Sequence, residues 1–176
     1  MKGIVIAAAL ALSFSATAHD LDVAATQSVP ASHVADLESA EGEGKTAFVK
    51  RIAEVARGYT REHGHEVCGW IAYGGRSAFS VRLVTLGSQV ACGASKSTVV
   101  AGYSAGNEMI HTHPEKRVIR LTALDKKLRG RTQVGANTES PDNCRFSGTD
   151  YANPGYLVAC GKILHQNGRG TEKQID

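Results

Sequence analysis

The sequence predicts an α+β domain rather than an alternating α/β fold. An amphipathic helix comes first, and several segments with strand character follow it directly. A long insertion then interrupts the strands once, before the chain ends on further strands. In an α/β fold, helices would instead alternate with strands along the chain. The sequence contains no internal repeat.

The helix is predicted in the segment KTAFVKRIAEVARGYTREHG, which begins at Lys45. Its apolar residues recur at i, i+3, i+4 and i+7, with lysine and arginine between them. These apolar residues are Phe48, Val49, Ile52, Val55 and Ala56. The stripe indicates one face packed on a core. The helix is expected to end near Gly58 or Gly64, since glycine commonly follows a helix.

Strand character follows in the segments EVCGWIAY (66–73), FSVRLVTLG (79–87), STVVAGYS, NEMIHTH and GYLVACGKILHQNG. A Gly-Gly turn closes the first segment, and residues 105–107 separate the third from the fourth. The last segment supplies one or two strands. Residues 115–146 carry one helix-like piece and a loop.

The first residues predict export. Lys2 precedes a short apolar run, and Ala16-Thr17-Ala18 is a small-x-small cleavage site, so residues 1–18 are predicted to be a signal peptide. The alternative is an N-terminal anchor that is never cut. The apolar run is too short to span a bilayer comfortably. We expect a periplasmic or secreted protein that has no stable membrane insertion after cleavage.

Charge and length favour one soluble domain without a nucleic-acid partner. The formal net charge of +3 falls by one with the loss of Lys2, which is too mild a balance for nucleic-acid binding. Residues 19–44 are small, polar and punctuated by glycine, and are predicted to form a flexible leader. Residues 45–176 are predicted to form the domain, and they are enough for one core.

The cysteines predict two disulfides. They are Cys68, Cys92, Cys144 and Cys160. An even number in an exported chain is typical of disulfide bonding, and the three possible pairings stay open. No two of them are spaced as CxxC, so a thiolate metal cluster is not expected.

The stretch MIHTHPEKR raises the question of a metal site. Residues i and i+2 of a strand share one face, so His111 and His113 at a strand end point the same way. Two imidazoles on one side are suitable ligands for Zn²⁺. Pro114 cannot continue a central ladder and so ends the strand at the site. His63 and His65 repeat the spacing but are predicted to lie in a loop.

Other candidates lie upstream and downstream. Asp150 is a candidate third ligand, with Ser147 three residues before it. The alternative is that both residues only cap a turn. Glu66 enters an apolar strand, where a partly desolvated carboxylate suits a general base. Its alternative is an ordinary acid at a strand edge.

Taken together, the motifs resemble those of the JAMM metalloprotease family. Glu66 leads E-V-C-G, then H-T-H-P begins at His111, and S-G-T-D runs from Ser147 to Asp150. The family signature is a Glu, then H-[ST]-H-P, then S-x-x-D. The resemblance covers about residues 45–167. It implies a JAMM/MPN-like fold, a curved mixed β-sheet flanked by helices.

The resemblance also implies a role for each residue. His111, His113 and Asp150 match the zinc ligands of the family. Glu66 matches the acid that moves a proton from the attacking water to the leaving amine. Ser147 matches the hydroxyl that stabilises the oxyanion.

The sequence departs from the family in one respect. Residues 115–146 separate the proline from the serine, which is a far longer segment than the family usually has. This spacing is closer to that of bacterial toxin-associated JAMM-like domains than to that of deubiquitinases. The insertion is a lid, a substrate-binding element or a partner surface. If it displaces Asp150, Asp142 and Glu139 are the next candidate ligands.

The first half of the insertion, 115–131, is basic. Its residues Val118, Leu121, Leu124 and Leu128 recur at helical intervals, so a helix with a packed apolar stripe and solvated charges is expected. The alternative is a basic surface for an anionic partner, such as a cell-wall polymer or lipid head groups. Residues 132–143 are predicted to form a flexible loop over the site.

The function that follows is an exported zinc-dependent peptidase or isopeptidase. The compartment suggests peptidoglycan peptides as its substrate, and a secreted toxin or effector is a variant with the same chemistry. The first alternative is a non-catalytic JAMM-like binding or accessory protein of the periplasm. The second is a thiol hydrolase that uses Cys144 or Cys68, which requires a free, activated thiolate.

Overall fold

A computed structural model of the chain describes residues 27–75, 78–129, 137–139 and 142–175. Its strands are β1 Ser32–Glu38, β2 Cys68–Tyr73, β3 Phe79–Thr85, β4 Ser104–Thr112, β5 Ile119–Arg120, β6 Thr138–Glu139, β7 Gly155–Ala159, β8 Lys162–Gln166 and β9 Lys173–Gln174. Its helices are α1 Lys45–His63 and α2 Ala123–Leu128, with a 3-10 helix at Thr149–Ala152. The signal peptide predicted for residues 1–18 lies outside the described residues.

One mixed sheet organises the domain. Its strand order is β1-β3-β2-β4-β7-β8-β9, and β5 and β6 form a separate two-stranded sheet. Neighbouring strands of the large sheet run antiparallel, except that β4 and β7 are parallel. The predicted α+β class is therefore confirmed. The parallel pair brings the start of β7 alongside the second half of β4, where the paired histidines stand.

Helix α1 packs one face of the sheet and forms the main core with it. Its buried residues Phe48, Val49, Ile52, Ala53 and Ala56 join buried residues of β2, β3, β4, β7 and β8. The helix ends at Gly64, which is left-handed with φ 71° and donates its N–H to the carbonyl of Thr60 at 2.8 Å. Glycine adopts this conformation without steric cost. Of the two predicted ends, Gly64 is correct.

Strand β4 differs from its prediction. Two strands separated by residues 105–107 were expected, but one strand runs through Ser104–Thr112. Gly106 lies inside that strand. A Cβ at this position would collide with the ring of Tyr73 and the carbonyl of Ile71 on β2, so only glycine fits there. The glycine therefore serves close packing between strands rather than a turn. The residues just before Ser104 form no strand.

The predicted flexible leader also differs from the structure. Residues 32–38 form the edge strand β1, which pairs antiparallel with β3. Its residues are exposed or only partly buried, because an edge strand has a single neighbouring strand and little apolar cover. A polar sequence of this kind carries a weak strand signal. The domain therefore begins before Lys45, and residues 19–26 lie outside the described residues.

The insertion contains a shorter helix than predicted. Helix α2 spans only Ala123–Leu128, because Thr122 and Asp125 form a reciprocal capping box that starts it. Leu121 and Leu128 are buried as expected, but Val118 is 60% exposed. The basic surface proposed for an anionic partner stays a prediction. Of the predicted loop 132–143, residues 132–136 and 140–141 lie outside the described residues, and Thr138 and Glu139 form strand β6.

The cysteines form two disulfides, Cys68–Cys92 and Cys144–Cys160. Neither Cys68 nor Cys144 is therefore a free thiol, which removes the nucleophile that a thiol hydrolase would need. Two disulfides in one small domain indicate a secreted protein or one of an oxidising compartment. Within the residues that the structure describes, each helix is too short or too polar to cross a bilayer.

Candidate metal centre

The paired histidines stand where β4 ends. His111 belongs to the strand, and His113 is the first residue after it. The N–H of His113 still donates to the carbonyl of Val158 on β7 at 3.2 Å. Thr112 points to the opposite face, where its hydroxyl contacts that of Thr60 at 2.6 Å and accepts from the N–H of Val67 at 2.9 Å. The alternation predicted from the sequence thus places both imidazoles on the face away from α1.

The 3-10 helix brings Asp150 to the two histidines. Oδ1 of Asp150 lies 3.4 Å from Nε2 of His111, and Oδ2 lies 3.6 Å from Nε2 of His113. One donor atom from each residue lies within 4.8 Å of the others. Metal–ligand distances of about 2.0–2.1 Å in a tetrahedral zinc site place neighbouring ligand atoms about 3.3 Å apart. The three residues can therefore hold a metal ion.

The histidine tautomers suit a metal ligand. Nδ1 of His113 lies 3.2 Å from the backbone carbonyl of Asn143, so this nitrogen donates and leaves Nε2 as the free lone pair. His111 is likewise bonded to the backbone of Tyr156. Its Nε2 is buried, and among the described residues it has no aligned hydrogen-bond partner. A buried polar atom without a partner is unfavourable, and a cation between Nε2 and Asp150 would remove that cost.

The charges of the three residues agree with a cation site. Burial and the charge of His111 lower the pKa of His113 to about 4, so His113 is neutral at neutral pH. Burial opposes the ionisation of Asp150, but the charges of His111 and His113 together with the hydrogen bonds from His111 and the Ser147 N–H outweigh it and hold the pKa of Asp150 well below the ordinary 3.8. Burial lowers the pKa of His111, but the charge and hydrogen bond of Asp150, together with the charge of Glu66, raise it above its usual value. An ionised carboxylate therefore faces two imidazole nitrogens.

Glu66 lies just before β2, which begins at Cys68, whereas the sequence predicted a strand that begins at Glu66 itself. Its N–H donates to the carbonyl of Ser88 at 2.8 Å, and its carbonyl accepts from the hydroxyl of Thr85 at 2.7 Å. The residue is 8% exposed. Burial raises the pKa of its carboxyl to about 8, while the charge of His111 lowers it and that of Asp150 raises it. Glu66 thus lies within the electrostatic reach of the candidate ligands.

Ser147 is exposed and lies beside Asp150. Its N–H donates to Oδ2 of Asp150 at 2.6 Å, so part of the turn-capping alternative is realised. Its hydroxyl is 2.9 Å from that of Thr149. Ser147 is therefore a solvent-exposed residue in direct contact with a candidate ligand.

The other candidate ligands lie elsewhere. Asp142 is bonded to Arg145 at 2.7 Å, and Glu139 is bonded to Arg129 at 2.5 Å. His63 is exposed and lies 3.9 Å from Glu62. Among the described residues, only His111, His113 and Asp150 form a group of His, Cys, Asp or Glu that can hold a metal. The long insertion therefore leaves Asp150 beside the histidines.

The insertion is anchored to the loop after β3, which in turn is hydrogen-bonded to the backbone of Glu66. Asp125 of α2 is fully buried and accepts hydrogen bonds from the Ser88 hydroxyl at 2.7 Å and the Gln89 N–H at 3.0 Å. The same Ser88 accepts the N–H of Glu66. Sequence reasoning missed this anchor, and it missed Asn143 as well. An isolated serine or asparagine in a loop carries no pattern that predicts a distant partner.

No protein-family model matches the chain, and no curated protein and no solved structure matches it either. The site is thus characterised by its own geometry. It combines two imidazole nitrogens, one ionised carboxylate, a buried carboxyl group close by and an exposed serine beside the carboxylate. This combination can bind a divalent cation and can move a proton next to it.

Proposed function

We propose that the protein is an exported, zinc-dependent peptidase or isopeptidase of the JAMM-like type. The single observation that carries this proposal is the meeting of His111, His113 and Asp150, from β4 and the 3-10 helix, in one buried group. Two nitrogens and one carboxylate oxygen leave a fourth position for water or substrate, which is the arrangement of catalytic zinc sites. A structural zinc site would instead fill all four positions with protein ligands.

The order of the elements supports the JAMM-like proposal. The glutamate precedes a central strand, the paired histidines end the neighbouring strand, and the aspartate follows the insertion on the 3-10 helix. β2 and β4 are neighbours, and Cys68 pairs with His111. Glu66, two residues before Cys68, therefore lies at the same end of the sheet as the histidines. A single site can then use all of these motifs.

When bound, a zinc ion would lower the pKa of a water molecule from 15.7 to about 7, lower that of Glu66 and polarise the scissile carbonyl. His111, His113 and Asp150 would hold the ion. In this proposal Glu66 accepts a proton from the attacking water and donates it to the leaving amine, a role that a buried carboxyl group beside the site suits. The Ser147 hydroxyl donates a hydrogen bond to the oxyanion, a contribution of roughly 2–4 kcal/mol in comparable sites.

The compartment directs the choice of substrate. Two disulfides favour an oxidising compartment, and a periplasmic or secreted enzyme encounters peptide crosslinks of the cell wall rather than cytosolic carrier proteins. The peptide and isopeptide bonds of peptidoglycan are therefore the proposed substrate class. A secreted toxin with the same chemistry would act on another exported or host target.

The experiment uses the mature chain loaded with one equivalent of Zn²⁺. Crosslinked muropeptides and isopeptide-linked model substrates are incubated with it, and the released amine is quantified by mass spectrometry. We expect hydrolysis that a chelator abolishes and added Zn²⁺ restores. Hydrolysis that continues unchanged after the metal is stripped would overturn the proposal. Stable zinc binding with no hydrolysis would favour the non-catalytic binding protein.

A further inference from the structure

Gln166 is the last residue of β8 and is 1% exposed, although its side chain is a primary amide. A buried amide is unfavourable unless its donors and its acceptor are satisfied. In the sheet, Gln166 pairs with Gly155 at the start of β7, and this backbone pairing makes no use of its side chain. A polar side chain at this position therefore requires its own explanation.

All hydrogen-bonding groups of the Gln166 amide are used. Nε2 donates to the carbonyl of Asp150 at 3.0 Å and to the carbonyl of Asn153 at 2.7 Å, while Oε1 accepts the N–H of Gly168 at 2.5 Å. Two carbonyls on one side and an N–H on the other determine the orientation of the amide, because only nitrogen can donate to both carbonyls. The amide thereby joins the end of β8 to Asp150 within the 3-10 helix and to Asn153 just after it.

That segment needs external support. The 3-10 helix is four residues long, has no side-chain hydrogen bond at its N-cap, and is followed by Asn153 in an extended conformation. Short 3-10 turns have poor hydrogen-bond geometry and little stability of their own. The N–H of Ser147 orients the Asp150 carboxylate, and this contact lies within the same loop. Gln166, by contrast, belongs to the sheet, and its amide donates to the backbone carbonyl of Asp150 from outside that loop.

We propose that Gln166 is a positioning residue for the metal centre, which holds the backbone of Asp150 so that its two carboxylate oxygens face His111 and His113. The inference rests on the proposed metal site and extends it to a residue that touches neither metal nor substrate. The required precision is high, since the oxygens lie at 3.4 and 3.6 Å from the two imidazole nitrogens. Groups that orient a metal ligand in this way change metal affinity by about 10–100-fold when they are removed.

The test compares Gln166→Met with wild type. Methionine keeps the volume of glutamine but neither donates to the two carbonyls nor accepts from Gly168. The matched control is Ile163→Val on the same strand, which is 3% exposed and belongs to the main core, a cluster whose members do not include residues 149–152. Each folded variant is titrated with Zn²⁺, and the visible spectrum of its Co²⁺ form is recorded. Thermal unfolding is measured in parallel.

We expect Gln166→Met to bind Zn²⁺ about 10–100-fold more weakly and to show an altered Co²⁺ spectrum. Ile163→Val should lower the melting temperature while leaving affinity and spectrum unchanged. If Gln166→Met does not fold, Gln166→Glu takes its place, since it keeps the shape but directs an oxygen at the two carbonyls. Unchanged affinity and spectrum in a folded Gln166 variant would overturn this inference alone. A wild-type chain that binds neither metal would overturn the metal site and the role of Gln166 with it.

Discussion

Cys144 is disulfide-bonded to Cys160, which ties the end of the insertion to the turn between β7 and β8. Asn143, the residue before Cys144, supplies the carbonyl that accepts Nδ1–H of His113, and its side chain donates to the carbonyl of Pro114 at 2.5 Å. Asp150 lies six positions beyond Cys144. The disulfide thus restrains the segment that orients one candidate ligand and leads to another.

Replacing Cys144 and Cys160 together with serine should weaken metal binding by about 10–100-fold, because the contact that orients His113 loses its restraint. Replacing Cys68 and Cys92 should change metal affinity much less. Cys68 lies in the central strand β2, where hydrogen bonds to β3 and β4 hold His111 without the disulfide. Zinc affinity is measured by competition with a chromophoric chelator on folded variants. Equal losses in the two pairs would show that both disulfides act only through overall stability.

Glu66→Gln should retain zinc and lose hydrolysis by about 10²–10⁴-fold, because the amide cannot accept or return the proton. The buried position and size of the side chain are preserved. Metal content and turnover are measured on the same preparation. Glu62→Gln is the control, since Glu62 is an exposed glutamate at the end of α1. Turnover close to that of wild type in Glu66→Gln would remove Glu66 from the proton transfer.

Asp150→Ala should lose bound zinc, whereas Asp142→Ala should keep it. Asp150 supplies the carboxylate between the histidines, and Asp142 is bonded to Arg145 at the surface. Elemental analysis of both purified variants beside wild type gives the zinc content per chain. The opposite pattern, with zinc lost only in Asp142→Ala, would assign the third ligand to the insertion.

Ser147→Ala should lower kcat by about 10²–10³-fold while zinc binding is unchanged, because the hydroxyl acts on the developing oxyanion and not on the metal. The backbone N–H that donates to Asp150 remains in this variant. Thr149→Val is the matched control, since it removes the hydroxyl that contacts Ser147 and keeps the shape. A fall in kcat that is accompanied by lost zinc would point instead to a role of Ser147 in the folding of the loop.

Asp125→Asn should lower the free energy of unfolding at pH 7 by about 1–3 kcal/mol, because a buried charged acceptor of hydrogen bonds is lost. Burial opposes the ionisation of Asp125, but the hydrogen bonds from Thr122, Ser88 and Gln89 outweigh it and lower its pKa below 3.8. This contribution is present above the unfolded-state pKa and is lost as pH falls through the folded-state pKa. The difference in the free energy of unfolding between Asp125→Asn and wild type should therefore become smaller below about pH 4.

Urea unfolding at pH 7, 5 and 3 measures this difference. Asp142→Asn is the control, because its exposed carboxylate makes a surface ion pair with Arg145 and accepts the N–H of Cys144 at 3.3 Å, neither of which is buried. A difference for Asp125→Asn that stays constant over this pH range would mean that packing, and not charge, accounts for the loss.

Several features followed from local sequence patterns. The 3.6-residue stripe predicted α1, and the two-residue period predicted that His111 and His113 share a face. The even number of cysteines, in a chain that its first residues predict to be exported, predicted two disulfides. Each of these patterns depends on residues close together in the chain or on composition alone. No long-range information was needed to find them.

Tertiary structure decided the rest. The sequence named Asp150 as a candidate ligand, but only the parallel pairing of β4 with β7 and the docking of the 3-10 helix bring it to the histidines across the insertion. The cysteine pairing, the edge strand β1 and the contacts of Asn143 and Gln166 depend on residues far apart in sequence. A lone polar residue carries no periodic signal, so its partner is determined only when the core folds and brings the two together.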